Sequence, residues 1–254
     1  MNKLVSVLLL GVMFGATLLA DFTRVEMGAG AWKSSPKGFS SYTATGITAY
    51  DVSTEKEETN PYVWILIKHP IPVVPNLRLE YVDITTKGVA TGIFKNFTTT
   101  ATGASTQLDL TQYDIIPYYN ILDNTAWITL DLGLDIKLLD TSYQADGVTG
   151  VTGGGSSYSD SALLPIPLVY TRVRFEIPGT NIGLEGDAKY IAYSDSTIYD
   201  VRVKVDYTLD FIPVIQPAVE IGYRKQKYDI DEDDLDAKLN MEFSGVYAGM
   251  MLRF

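Results

Sequence analysis

The sequence predicts an all-β fold, a ten-stranded antiparallel up-and-down transmembrane β-barrel. Three observations predict it. Hydrophobicity alternates with period 2 from Asp21 onward, the alternating segments are long, and charge sits on one flank of each segment only. The alternation is clearest from Trp127 to Asp140, where Ile128, Leu130, Leu132, Leu134, Ile136 and Leu138 share one flank and Thr129, Asp131, Gly133, Asp135 and Lys137 the other. A helix would scatter these leucines around its circumference.

The segments lie near 23–32, 61–69, 76–86, 107–119, 126–139, 163–176, 182–193, 198–210, 216–228 and 239–254. In the first, Arg24 and Glu26 oppose Val25, Met27, Ala29 and Ala31. The second is apolar on both flanks from Tyr62 to Ile67, which leaves its parity open. The third carries Arg78 and Glu80 on its charged flank, and the fourth Asp114. The sixth carries Arg172, Arg174 and Glu176. The seventh sets Glu185, Asp187 and Lys189 against Leu184, Gly186, Ala188 and Tyr190. The eighth sets Asp200, Arg202, Lys204 and Asp206 against Tyr199, Val201, Val203, Val205 and Tyr207, and the ninth carries Glu220 and Arg224. Together with Asp131, Asp135 and Lys137 of the fifth, the charged flanks hold eleven acids and nine bases. A strand tilted about 40° needs roughly 9–11 residues to cross an apolar band about 25 Å tall, and several segments exceed that.

The connections alternate in character. Residues 69–76, 120–124, 177–181 and 211–216 are short and Pro-rich or Asn-rich, whereas 33–60, 87–106, 140–162, 194–197 and 229–238 are mostly longer and polar. Short turns at one end and longer loops at the other give five outer loops and four inner turns. An Ile-Pro pair recurs at Ile71-Pro72, Ile116-Pro117, Ile177-Pro178 and Ile212-Pro213; because proline removes a ladder donor, these pairs are expected at strand ends. Residues 140–162 include a Gly- and Ser-rich stretch, flexible by composition.

The chain has 254 residues and shows no domain boundary. Met1-Asn2-Lys3, an apolar run from Leu4 to Ala20 and then Asp21 have the order of a secretory signal, so residues 1–20 are expected to be a signal peptide and 21–254 the barrel. No other run approaches the roughly 18 apolar residues of a spanning helix. There is no Cys, which excludes disulfides, thiolate metal sites and an N-terminal lipid on cysteine. The formal charge of −11 makes nucleic acid a poor partner. The mean hydropathy of +0.06 suits a soluble β protein and a membrane barrel alike, because a barrel averages its two flanks. A soluble periplasmic β-sandwich or lipocalin-like binding module would show the same alternation with its apolar flank buried, and stands as an alternative.

The last residues, "YAGMMLRF", place Tyr247, Gly249, Leu252 and Phe254 in a pattern that resembles the C-terminal assembly signal of Gram-negative outer-membrane β-barrels. The resemblance implies a small outer-membrane barrel in contact with outer-membrane lipid and lipopolysaccharide, its last strand received by the barrel assembly machinery and closed against the first. It carries over no site residues.

Candidate chemistry is sparse. The one histidine, His69, falls in an inner turn, the wrong end for a rim hydrolase, so no catalytic residue and no enzyme activity are expected. Asp229, Asp231 and Asp233 alternate as in a calcium loop, but Asp234 and Asn240 stand where that loop needs Gly and Glu, so 229–238 reads as a solvated acidic loop and no metal or cofactor is expected. Tyr113, Tyr118, Tyr119 and Trp127 around one inner turn, Tyr207 and Phe211 around another, and Tyr190, Tyr193 and Tyr199 at the tight outer loop are expected to form interfacial belts. The expected function is an integral outer-membrane protein, structural or surface-interacting, with a lumen closed by charge pairs; a narrow small-solute channel is the alternative.

Overall fold

The computed structural model describes residues 24–254 apart from 45–46, 55, 72, 95–96, 101, 151–155, 210–214 and 233–236. The expected signal peptide and Phe211 lie outside the described residues. The strands are β1 (Arg24–Ala44), β2 (Ile47–Ser53), β3 (Glu58–Lys68), β4 (Asn76–Thr91), β5 (Thr98–Thr99), β6 (Ala104–Thr125), β7 (Ile128–Asp146), β8 (Val148–Thr149), β9 (Ser157–Glu176), β10 (Ile182–Tyr193), β11 (Ser196–Thr208), β12 (Gln216–Glu232) and β13 (Ala237–Arg253).

Ten of these, all except β2, β5 and β8, form one antiparallel sheet that closes when β13 pairs with β1. The closing register runs from Glu26↔Arg253 to Tyr42↔Ala237. The strand β2 sits above β3 in the same slot, paired with the tops of β1 and β4. The strands β5 and β8 pair with each other, joining the β4–β6 connection to the β7–β9 connection. Closure removes the open edges that a sheet otherwise presents for aggregation.

Every predicted strand is present, and most run further toward the loop end than the alternation indicated. Much of 33–60, 87–106 and 140–162, expected as loop, is strand: β1 continues to Ala44, and β7 and β9 pair up to Asp146↔Ser157. Ladder bonds to neighbouring strands hold these polar stretches where hydrophobicity alone gives no signal. The stretch 120–124 also belongs to β6, and the turn falls at Ala126-Trp127, with φ of 51° and 67°. Positive φ at both central residues matches the right-handed twist of a two-residue hairpin, although neither residue is glycine. Pro117 is a second correction, since it lies inside β6 rather than at a strand end. The β6–β7 ladder breaks between Ile115↔Ile136 and Tyr118↔Gly133, where the missing N–H would have pointed.

The wall is uneven. Strands β6 and β9 have 22 and 20 residues, but β10 and β11 have 12 and 13. Strand β9 pairs with β10 only between Val169 and Glu176, so β7 is the one ladder partner of its residues 157–168. Pro165 and Pro167 lie in this stretch. The Glu176 N–H bonds the Trp127 carbonyl on the β7 side, so odd-numbered positions face the free edge, and both prolines delete donors from it.

The outward flank is apolar and free of charge from Leu77 to Tyr81, Tyr113 to Ile121, Ile128 to Leu138, Leu163 to Phe175 and Tyr199 to Tyr207. Tyr81, Tyr113, Tyr190, Tyr199 and Tyr223 stand on this flank toward the loop end, and Tyr119, Trp127 and Tyr207 toward the turn end. Tyr113 therefore belongs to the loop-end belt, its ring 5.3 Å from that of Tyr81. Tyr118 belongs to neither belt, because its even position turns it inward, where it is buried.

Candidate functional site

The barrel interior holds the chemistry. Of the charges read as inward-facing, all are buried except Arg24 and Glu176, which sit half-exposed at the turn-end rim. Period 2 forces this outcome: once one flank faces outward, the other has only the interior. Two further buried charges were missed. Arg253 follows the parity that sets Leu252 outward, a signal that was available in the alternation. Asp51 lies in a stretch that read as loop.

The ion pairs stack in tiers along the axis. Nearest the turn end, Arg253 pairs with Asp206 at 2.5 Å, and Arg174 reaches the same carboxylate at 2.6 Å. In the next tier Glu185 is a hub, accepting Arg172 at 2.7 Å, with Arg174 and Lys204 at 3.4 Å and Arg78 at 3.6 Å. Arg172 also holds Asp131 at 2.6 Å. Above it, Arg202 bridges Glu80 at 2.5 Å and Asp187 at 2.9 Å. In the last tier Lys189 joins Glu80 at 2.7 Å and also Asp114, Lys137 joins Asp114 at 2.7 Å, and Arg224 joins Asp200 at 2.6 Å. The facing amides of Gln112 and Gln226 hydrogen-bond each other and cap this tier. Such pairing is what makes buried charge tolerable, because an unpaired ion in a dry interior costs several kcal/mol.

Aromatic rings fill the wall between charges. Glu220 accepts hydrogen bonds from the Tyr62 hydroxyl at 2.8 Å and Trp64 Nε1 at 3.1 Å, and pairs with Lys204 at 2.9 Å. Trp64 in turn lies under Lys204 and Arg78, 4.6 and 5.1 Å from its ring centre. Glycine at position 28 makes room for this ring: a Cβ there would stand 2.5 Å from Trp64 Nε1. A cavity of about 10 Å³, lined by Trp64, Arg202, Glu220 and their neighbours, has room for about one water.

One carboxylate stands apart. Neither oxygen of Asp135 has a hydrogen-bond partner among the described residues, and Lys189 Nζ lies 4.0 Å away. Asp135 stands where the ladder is interrupted at Ile116-Pro117.

Above the ionic tiers the interior turns apolar, with Ile84, Leu110, Leu139, Leu168, Ile198 and Phe243 in one buried cluster. Higher still, Asp51 of β2 accepts hydrogen bonds from Thr106 of β6 and Tyr143 of β7, each 2.9 Å long. Burial pushes the Asp51 carboxyl above its usual range, against the lowering effect of those two bonds. Phe97, from the β4–β6 connection, is buried in a small cluster with Ala90, Ala104 and Ala145 and stacks on Phe94 with ring centres 4.6 Å apart.

His69 is in the β3–β4 turn, its Nε2 3.0 Å from the Pro75 carbonyl, remote from the loop end. Asp229 and Asp231 are strand residues of β12, paired with Lys227 at 3.0 Å and Lys238 at 2.9 Å; residues 233–236 lie outside the described residues. Among the described residues no cluster of His, Cys, Asp and Glu has the arrangement of a metal site.

No protein-family model matches the chain, and no curated protein matches it. Solved structures do. The outer membrane protease OmpT of Escherichia coli matches with a TM-score of 0.50 at 12% identity, over 91% of this chain and 96% of that one. The translocator domain of the autotransporter NalP of Neisseria meningitidis matches with a TM-score of 0.41 at 11% identity, over 100% and 96%. The likeness to OmpT is one of fold. It agrees with what the side chains require: a closed barrel with an uncharged apolar outside, tyrosine belts and a charged inside is solvated by lipid, and this chain has the fold of an outer-membrane β-barrel.

Proposed function

We propose that the chain is an integral component of the outer membrane, structural or surface-interacting, whose lumen is closed by its own charge pairs. The observation that carries this reading is the stack of ion pairs from Arg253–Asp206 to Lys137–Asp114, with an apolar layer above it. A conducting path would need hydrated space beside these groups, and opening one would strand buried charges at several kcal/mol each. In planar bilayers the purified protein is expected to give no steady single-channel steps; reproducible ohmic steps would defeat this reading in favour of a narrow small-solute channel. The small cavity beside Arg202 and Glu220 is the feature that favours that second reading.

The protease activity of OmpT is not carried over, because the one histidine of this chain sits at the turn end. The β13 strand is read as the segment that the barrel assembly machinery receives, on the strength of Tyr247, Gly249, Leu252 and Phe254. Phe254→Ala is expected to reduce the membrane-assembled fraction severalfold, scored as heat-modifiable protein on unboiled gels; unchanged assembly would count against that role.

A further inference from the structure

Outward apolar side chains reappear on the loop-end wall, well above the lipid. Tyr50 and Val52 of β2 are 46% and 51% exposed, Val89 of β4 is 42% exposed, and Ile93 just beyond β4 is 46% exposed. Val52 is paired with Phe39 of β1 on one side and Val89 on the other, and the Phe39 and Tyr50 rings meet edge to face at 6.0 Å. This island is separate from the lipid belt. On β4 the outward residues after Tyr81 are Asp83, Thr85 and Lys87 before Val89; on β1 they are Lys33, Ser35 and Lys37 before Phe39. From Tyr81 to Val89 is about 26 Å along the strand at roughly 3.3 Å per residue, beyond the reach of acyl chains. The inner flank of the same strands carries Asp51, Ser53 and Thr86. The island therefore sets exposed apolar side chains where the outer side of the sheet meets water, although the buried cluster of Ala90, Phe97 and Ala104 lies on the inner side. A contiguous apolar patch rimmed by polar groups marks an interaction surface.

The rim identifies the partner. Lys37 and Lys87 stand one outward row below Phe39 and Val89, on either side of Thr54, whose N–H donates to the Lys87 carbonyl at 2.9 Å. Neither has an ion-pair partner among the described residues, whereas Lys33, Lys225, Lys227 and Lys238 are each paired at 2.5–3.0 Å. An apolar row and a cationic row two residues apart are about 7 Å from each other, the spacing of alternate side chains in an extended chain.

We propose that the outer face of β1, β2 and β4 docks an extended acidic protein segment, with apolar side chains over Phe39, Val52 and Val89 and carboxylates on Lys37 and Lys87. The proposal rests on the surface-interacting reading above, but purified barrel tests it whether or not the lumen conducts. The probe is a fluorescein-labelled peptide alternating leucine and aspartate at every second position, titrated against the barrel in detergent and followed by anisotropy. Saturable binding that weakens with salt is expected. Val52→Asp should weaken it at least tenfold, and Lys37→Glu with Lys87→Glu should do so too and remove the salt dependence. All three substitutions are on exposed positions, and heat-modifiability on gels confirms that each variant is folded. Absence of saturable binding, equal binding to the variants, or equal binding of a leucine–lysine peptide would overturn the proposal. So would sedimentation as a dimer that Val52→Asp dissociates, which would assign the face to a second copy.

Discussion

The same strands obey different rules in their two halves. At belt level, as in β11, every outward residue from Tyr199 to Tyr207 is apolar or aromatic and every inward residue from Asp200 to Asp206 is charged. Toward the loop end the inward flank holds Ile84, Leu110 and Leu139, then Asp51, Thr106 and Tyr143, while the outward flank is mostly hydroxyls, amides and carboxylates. The difference teaches what enforces alternation. Where lipid solvates the outside, no charge is tolerated there, and the inside can be as polar as pairing allows. Where water solvates the outside, the inside packs like an ordinary soluble core.

Substitutions can break or sharpen that contrast. The largest effect is expected at the Glu185 hub: Glu185→Leu leaves Arg172, Arg174, Arg78 and Lys204 short of their shared carboxylate and should cost about 3–5 kcal/mol, measured by urea unfolding in lipid vesicles. A smaller loss would mean that the tiers are looser than their distances indicate. Next come two arginines placed on the same outward flank at different heights. Val203→Arg, in the middle of the belt on β11, should cost about 2–4 kcal/mol in the same assay. Val89→Arg, above the belt, should change stability by no more than about 0.5 kcal/mol. Equal costs at the two positions would erase the boundary drawn at the tyrosines.

What was legible in the sequence follows the same division. The belt-level strands announce themselves because two solvents impose period 2, and eighteen of the twenty charges read as inward are buried. Their pairing was not legible. Lys189 meets Glu80 across 109 residues of chain, and only the register of the closed sheet brings them together. The upper halves were not legible because both flanks become mixed there, as at Leu138-Leu139 and Leu163-Leu164, where adjacent leucines face opposite ways. Asp51 was hidden in a stretch with no periodic signal, and Tyr118 was misplaced because its parity within β6 was not applied.

The seam between β1 and β13 has a kinetic consequence. It joins residues such as Trp32 and Gly245, whose side-chain-to-backbone bond spans 213 positions. A separation this large means that every hairpin between them can form before the seam does, and the entropy of bringing such distant partners together is met at the final step. Until then the nascent sheet exposes two unsatisfied borders, each able to capture a stray strand. The longer that half-zipped condition lasts, the longer those borders stay open to aggregation on the way into the bilayer.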